Sequence, residues 1–275
     1  MRGLTILTSF ILFLSLSSCN KFSKIQKSKD VEYKLTKADE YYANKSYRKA
    51  QQLYEELFPV YKGSQKFEDL YYKYAYCFYN IGAYRDAENL FKGYLEVFPT
   101  SSKAEEIDFM RAYSFYKQSP KIDLEQVNTV KAMQMMQTYI STHPGSERNK
   151  EASDIIDLSR KKLEDKEHRS AKLYFDLASY RAAALSYTSL MNNYPESPKG
   201  EEYKLMVITS YFRFANMSIP ERQVERYEKV VTEVEDFNDR YPESTLTKQV
   251  ENFKNSSLNN IKALQNEQNS SAAKF

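Results

Sequence analysis

Tryptophan is absent from this 275-residue chain, histidine and cysteine occur twice each, and glycine only six times. Each scarcity removes a class of answer. So few glycines leave little supply of the positive-φ positions that tight turns between strands require, so helices are expected rather than sheets. The two histidines, His143 and His168, have no second histidine nearby and offer no zinc-binding spacing. No H-E-x-x-H, G-x-S-x-G or glycine-rich phosphate loop occurs, and the residue supply points away from an enzyme, a metal or a cofactor. Charge of one sign is missing too. Forty basic and 37 acidic residues are interspersed to a formal net charge of +3, which leaves no electrostatic footprint for nucleic acid. The adjacent carboxylates Glu55-Glu56, Glu105-Glu106 and Glu201-Glu202 point to different helix faces and read as solvated surface.

An apolar run long enough to cross a bilayer is also missing from the N-terminus. Leu4 to Leu16 follow the basic Arg2 and stop at Leu16-Ser17-Ser18-Cys19, short of the roughly 20 residues a spanning helix needs. Arg2 as n-region, the apolar stretch as h-region and small residues before a cysteine resemble a bacterial lipoprotein signal. Residues 1–18 are then a cleaved leader, and Cys19 becomes the first mature residue, carrying a covalent lipid. Several acyl chains, at about 0.8 kcal/mol per buried methylene, would hold the chain to a membrane firmly. Asn20 follows where an aspartate would signal inner-membrane retention, so the outer membrane is the expected address. Residues 19–30 read as a polar tether. With Cys19 acylated, Cys77 has no partner, and its setting among aromatics at helical spacing predicts a buried, inert thiol.

What the chain does have is a repeat. Ala50, Ala87, Ala132 and Ala183 share one register, joined by Val230, at spacings of 37, 45, 51 and 47 residues. Four residues on stand Tyr54, Phe91, Met136, Tyr187 and Val234; seven on stand Leu57, Tyr94, Tyr139, Leu190 and Phe237. These offsets fall on one helix face. Pro99, Pro144, Pro195 and Pro242 follow twelve residues after the register position, and a serine stands fourteen after it in all five copies. Small residues let two helices approach, aromatics fill the seam, the proline ends the helix, and the serine suits an N-cap for the next one. The first copy has Lys62 in place of the proline, and Pro59 comes three residues too early to be its equivalent.

This pattern resembles the tetratricopeptide repeat. The expected fold is all-α: a solenoid of about five helical hairpins plus a capping helix built on Leu246, Val250, Phe253, Leu258, Ile261 and Leu264. Repeats 1–3 occupy 31–146, repeats 4–5 and the cap occupy 147–265, and 266–275 read as a disordered tail.

The lipobox, the five copies and the stretch Ser159 to Pro198, "SRKKLEDKEHRSAKLYFDLASYRAAALSYTSLMNNYPESP", together resemble the BamD family, lipoprotein subunits of the outer-membrane β-barrel assembly machinery. Asp176-Leu177-Ala178 departs from that family's usual glycine-containing turn, and residues 218–226 form an insertion. The resemblance implies a scaffold tethered to the periplasmic face of the outer membrane. Its C-terminal repeats would dock the POTRA domains of a BamA-like barrel protein, a role assigned to Lys204, Tyr211 and Arg213. Its N-terminal repeats would receive unfolded barrel clients in a groove that Tyr71, Tyr72, Tyr74, Tyr76 and Tyr79 could line. The alternative is another envelope repeat lipoprotein, one that captures glycans or coordinates peptidoglycan synthesis; the absence of tryptophan counts against glycan capture.

Overall fold

The computed structural model describes residues 21–272, and every element in it is a helix. The leader and Cys19 lie outside the described residues. A short helix over residues 21–26, α1, comes first. It is followed by α2 (Val31–Ala43), α3 (Tyr47–Tyr61), α4 (Phe67–Asn80), α5 (Tyr84–Val97), α6 (Ala104–Lys117), α7 (Val127–Thr142) and α8 (Asn149–Asp176). Then come α9 (Tyr180–Asn193), α10 (Gly200–Asn216), α11 (Pro220–Arg240) and α12 (Thr247–Ala272). The chain divides into two compact units, with the division at Ser159 and Arg160, inside α8.

In the first unit α2/α3, α4/α5 and α6/α7 are antiparallel hairpins, each helix packed on the next. In the second, α10 packs between α9 and α11, and α12 lies along α11 as a cap. Together with α8/α9 this is the all-α, five-hairpin architecture with a terminal covering helix. The seam residues carry it. Ala50, Ala87, Ala132, Ala183 and Val230 have no exposed surface, and the ten residues four and seven positions later are at most 1% exposed. Each large apolar side chain so buried contributes about 1.5–3 kcal/mol, and the alanines admit it because a helix can approach a methyl group closely.

Helix ends repeat as closely as the seams. Phe98, His143, Tyr194 and Tyr241 close α5, α7, α9 and α11 with φ between −124° and −131° and ψ between 59° and 62°. Their N–H groups donate four residues back, to Tyr94, Tyr139, Leu190 and Phe237. The following proline explains the uniform geometry, because its ring pushes the preceding residue out of the helical region. In the first copy Pro59 lies inside α3, and Gly63, at φ +84°, turns the chain after Lys62.

The hairpin turns are a second recurring device. Ser46, Ala83 and Ser179 donate N–H groups five residues back, to Tyr41, Phe78 and Tyr174. The residue before each is left-handed: Lys45 at φ 57°, Gly82 at 82° and Ala178 at 56°. Only glycine adopts that conformation without a Cβ penalty, so two of the three turns are strained.

Local details differ from the sequence expectation in three places. The tether is in part structured: Ile25 is buried, and the Phe22 ring meets Tyr41 edge-on at 5.7 Å. Helix α12 continues to Ala272, through residues expected to be a frayed tail. The repeating serine is not the N-cap residue itself. Lys103 and Lys199 hold the cap positions of α6 and α10 without side-chain caps, while Ser101 and Ser197 accept N–H bonds from those same lysines two residues on. The insertion near residue 220 is absorbed as helix. Pro220 starts α11 ten residues before Val230, whereas Tyr84 starts α5 three before Ala87.

Candidate interaction surfaces

The repeating serines do more than shape the turn. Ser101 donates to Glu68, Ser146 to Glu105, Ser197 to Glu164 and Ser244 to Glu201, at 2.5–2.6 Å. Tyrosines reinforce three of these carboxylates: Tyr94 donates to Glu68, Tyr139 to Glu105 and Tyr203 to Glu164. In the first copy Tyr61 donates to Glu32, which also meets Lys66 at 2.5 Å. Each hairpin is thereby clasped to the turn that follows it. Hydrogen bonds from Ser101 and Tyr94 hold the Glu68 carboxyl below the usual range, and Ser146 does the same for Glu105. The reading of adjacent carboxylates as solvated surface is therefore corrected for Glu105, Glu106 and Glu201. Their partners stand 30–43 residues away in sequence, beyond any local pattern.

Glu106 belongs to the tyrosine array of α4. It accepts from Tyr72 at 2.9 Å and from Tyr76. Tyr71 is 7% exposed and packs its ring against Phe58, Phe67 and Tyr94. Tyr72, Tyr74, Tyr76 and Tyr79 are half-buried. Tyr74 leans edge-on against Phe78, and Tyr79 meets Tyr84, Phe91 and Tyr113. Burial first, then the bond to Glu106, pushes the Tyr72 phenol up to about 12, and Tyr76 rises further for the same reasons. These phenols stay neutral, each sharing itself between the hairpin seam and one exposed edge. Gly93 leaves room for this ring, since a Cβ there would stand 2.3 Å from the Tyr71 hydroxyl and the phenol would have to shift.

Cys77 lies under this array, fully buried, its thiol pushed up to about 12 by desolvation. Such a thiol is protonated and inert at neutral pH. His143 closes α7 with its ring 4.9 Å from Tyr139 and its Nε2 3.3 Å from Asp108. His168 packs 5.2 Å from Tyr203, its pKa lowered by burial and by Lys199. Among the described residues no group of three His, Cys, Asp or Glu side chains could hold a metal ion. No described helix is long and apolar enough to cross a membrane.

In the second unit, Lys204 is 4% exposed, its ammonium enclosed by Glu233 and Asp236 of α11. It faces inward and ties α10 to α11. Tyr211 and Arg213 are placed differently. Tyr211 is half-buried with Lys229 5.7 Å over its ring, and Arg213 is exposed. Tyr211 lines a cleft of ≈550 Å³ that it shares with Arg181, Leu185, Phe214 and Arg226. A second cleft of ≈560 Å³ has Arg181, Leu185 and Phe214 in common with it, and adds Ala178 and Met217. Leu185 and Met217 are 54% and 69% exposed there. The Arg226 guanidinium covers the Phe214 ring at 4.0 Å. The combined surface is a trough with an apolar floor and a rim of mixed charge, where Glu225 and Glu228 stand among Arg181, Arg222, Arg226 and Lys229. No local pattern announces it, because its floor is built from the turn after α8 together with residues 214–217, which only the packed hairpins bring together.

A family model described as "Outer membrane lipoprotein", YfiO, matches residues 27–225. No curated protein matches the chain. Among solved structures, the complex titled "TPR2AB-domain:pHSP90-complex of yeast Sti1" is similar at 12% identity and a TM-score of 0.38, over 82% of this chain and 98% of that one.

Proposed function

Because the chain belongs to the YfiO family of outer membrane lipoproteins, we propose that it is a BamD-type scaffold of the outer-membrane β-barrel assembly machinery. Cys19 carries the lipid and tethers the repeats at the periplasmic face. The second unit docks the POTRA domains of a BamA-like barrel protein, and the tyrosine array of the first unit receives extended segments of unfolded barrel clients.

The observation that carries this reading is the trough around Leu185, Phe214 and Met217. It leaves large apolar side chains exposed on a unit whose own seams are otherwise filled, and patches of that kind mark sites of protein association. Tyrosine suits the client role, since it presents a large amphipathic face with few rotatable bonds to freeze. Lys204 takes no part in docking; Tyr211 and the arginines of the rim do. Affinity purification of the lipidated protein should recover a barrel protein bearing POTRA domains. Recovery of only sugar-import or wall-synthesis proteins would overturn the reading. Anchoring is tested apart from this, by whether Cys19→Ala releases the chain from the membrane fraction.

A further inference from the structure

The N-terminal stretch of the first unit is rich in basic charge. Residues 21–49 hold nine Lys or Arg against four Asp or Glu, net +5, while the whole chain carries +3. Part of this charge is drawn together by α1. Phe22 lies against Tyr41, near the end of α2, and the Lys49 ammonium sits 5.9 Å over Phe22 and 5.4 Å over Tyr41. Helix α1 is therefore docked at the turn end of the first hairpin, where Lys45 and Arg48 also stand. Lys21, Lys24, Lys45 and Arg48 are all exposed. Lys45, Arg48 and Lys49 border a groove of ≈450 Å³ that continues to Asn80 and Ile81 at the next hairpin turn. There Arg85 and Asp86 offset each other, and Glu40 is engaged by Lys37.

Cys19 precedes Lys21 by two residues, a reach of at most about 7 Å. A lipid on Cys19 would therefore bring this end of the hairpin to the headgroup layer. From that juxtaposition we propose that the turn end of the first hairpin is a membrane-contact face, with Lys21, Lys24, Lys45 and Arg48 resting on anionic phospholipid headgroups. The occupant is a lipid surface rather than a protein because the basic end and the anchor share one place. The inference takes its orientation from the lipid-anchored reading. The lipid would supply attachment, and the basic face would set which way the hairpins stand on the membrane.

Binding of the mature chain, residues 19–275 made without the leader and so without lipid, can be measured by co-sedimentation with phosphatidylcholine vesicles containing or lacking phosphatidylglycerol. Each cation near an anionic surface strengthens binding about fivefold. The triple reversal Lys21→Glu, Lys45→Glu, Arg48→Glu is then expected to weaken binding to the phosphatidylglycerol vesicles by roughly a hundredfold or more. All three sites are exposed, and Arg48→Glu places an acid in the first turn of α3, where the helix dipole favours it. Reversing Lys150, Lys248 and Lys262, exposed cations elsewhere, is the matched control and should leave most of the binding intact. Equal binding to both vesicle types, no binding to either, or an equal loss in the control would overturn the proposal. None of these results bears on Cys19, whose acylation is read by mass spectrometry of the membrane-extracted full chain.

Discussion

Replacing Lys204 by methionine separates two readings of one residue. Sequence reasoning assigned it to partner docking; the structure encloses its ammonium between Glu233 and Asp236, with side-chain exposures of 5%, 14% and 38%. Methionine keeps the stem's packing and removes only the charge. Breaking a buried ion pair costs about 3–5 kcal/mol when the remaining charge is stranded. Here the stranding is partial, since Lys229 still meets Glu233 at 2.7 Å and Arg240 still meets Asp236 at 2.9 Å. Those second cations are about half exposed and screened by water, which places the expected loss at about 2–3 kcal/mol. Urea unfolding followed by circular dichroism should show a midpoint lowered by about 1 M or more, with amide exchange accelerated in α10 and α11. Adding Glu233→Gln should restore part of the loss, because it removes the charge left behind. Acid supplies a second readout. Burial alone would raise the Glu233 and Asp236 carboxyls, but bonds from Lys204, with Lys229 and Arg240, hold them below their ordinary values. Their stabilisation is full above the unfolded carboxylate range near pH 4 and is lost as pH falls through the depressed folded values. The gap between wild type and Lys204→Met should therefore be widest at neutral pH and close in acid. An unchanged midpoint with weakened partner capture would refute the inward placement and restore the docking role.

The recurring turns and clasps carry three further expectations. Ala178→Gly removes a Cβ from a residue at φ 56° and should raise the stability of the second unit by about 1 kcal/mol, whereas Gly82→Ala should lower that of the first by about as much, both read from denaturant midpoints. Ser101→Ala deprives the Lys103 N–H of its acceptor and Glu68 of a donor. It should cost about 1–3 kcal/mol and loosen exchange protection at the start of α6.

The parts of the fold legible in the sequence were those written in short-range periodicity. Alanine, aromatic and proline positions recur within one helix and its end, so Ala87, Phe91, Tyr94 and Pro99 announce their seam and their stop without reference to anything distant. The clasps were hidden for the opposite reason. Glu68 and Ser101 are 33 residues apart, and nothing near Glu68 distinguishes it from a solvated acid. The same holds for Lys204, which resembles any helix-surface lysine until α11 folds against it. Ala178 reads in the sequence as a departure from a glycine turn, but only the backbone, at φ 56°, shows that the left-handed conformation is kept and the strain accepted. Helix α1 is not legible in the sequence because Phe22 and Ile25 are isolated apolar residues in a lysine-rich stretch, and the Tyr41 ring that Phe22 meets belongs to the following hairpin.

The trough of the second unit should grip another polypeptide if the chain serves as a docking scaffold. Placing a photo-crosslinking amino acid at Met217 in the lipidated protein, and irradiating intact cells, tests it directly. A discrete adduct with the periplasmic domains of a barrel-assembly protein is expected, lost when the crosslinker is moved to Lys150. An absence of adducts at Met217, or adducts confined to wall-synthesis or sugar-import proteins, would contradict it.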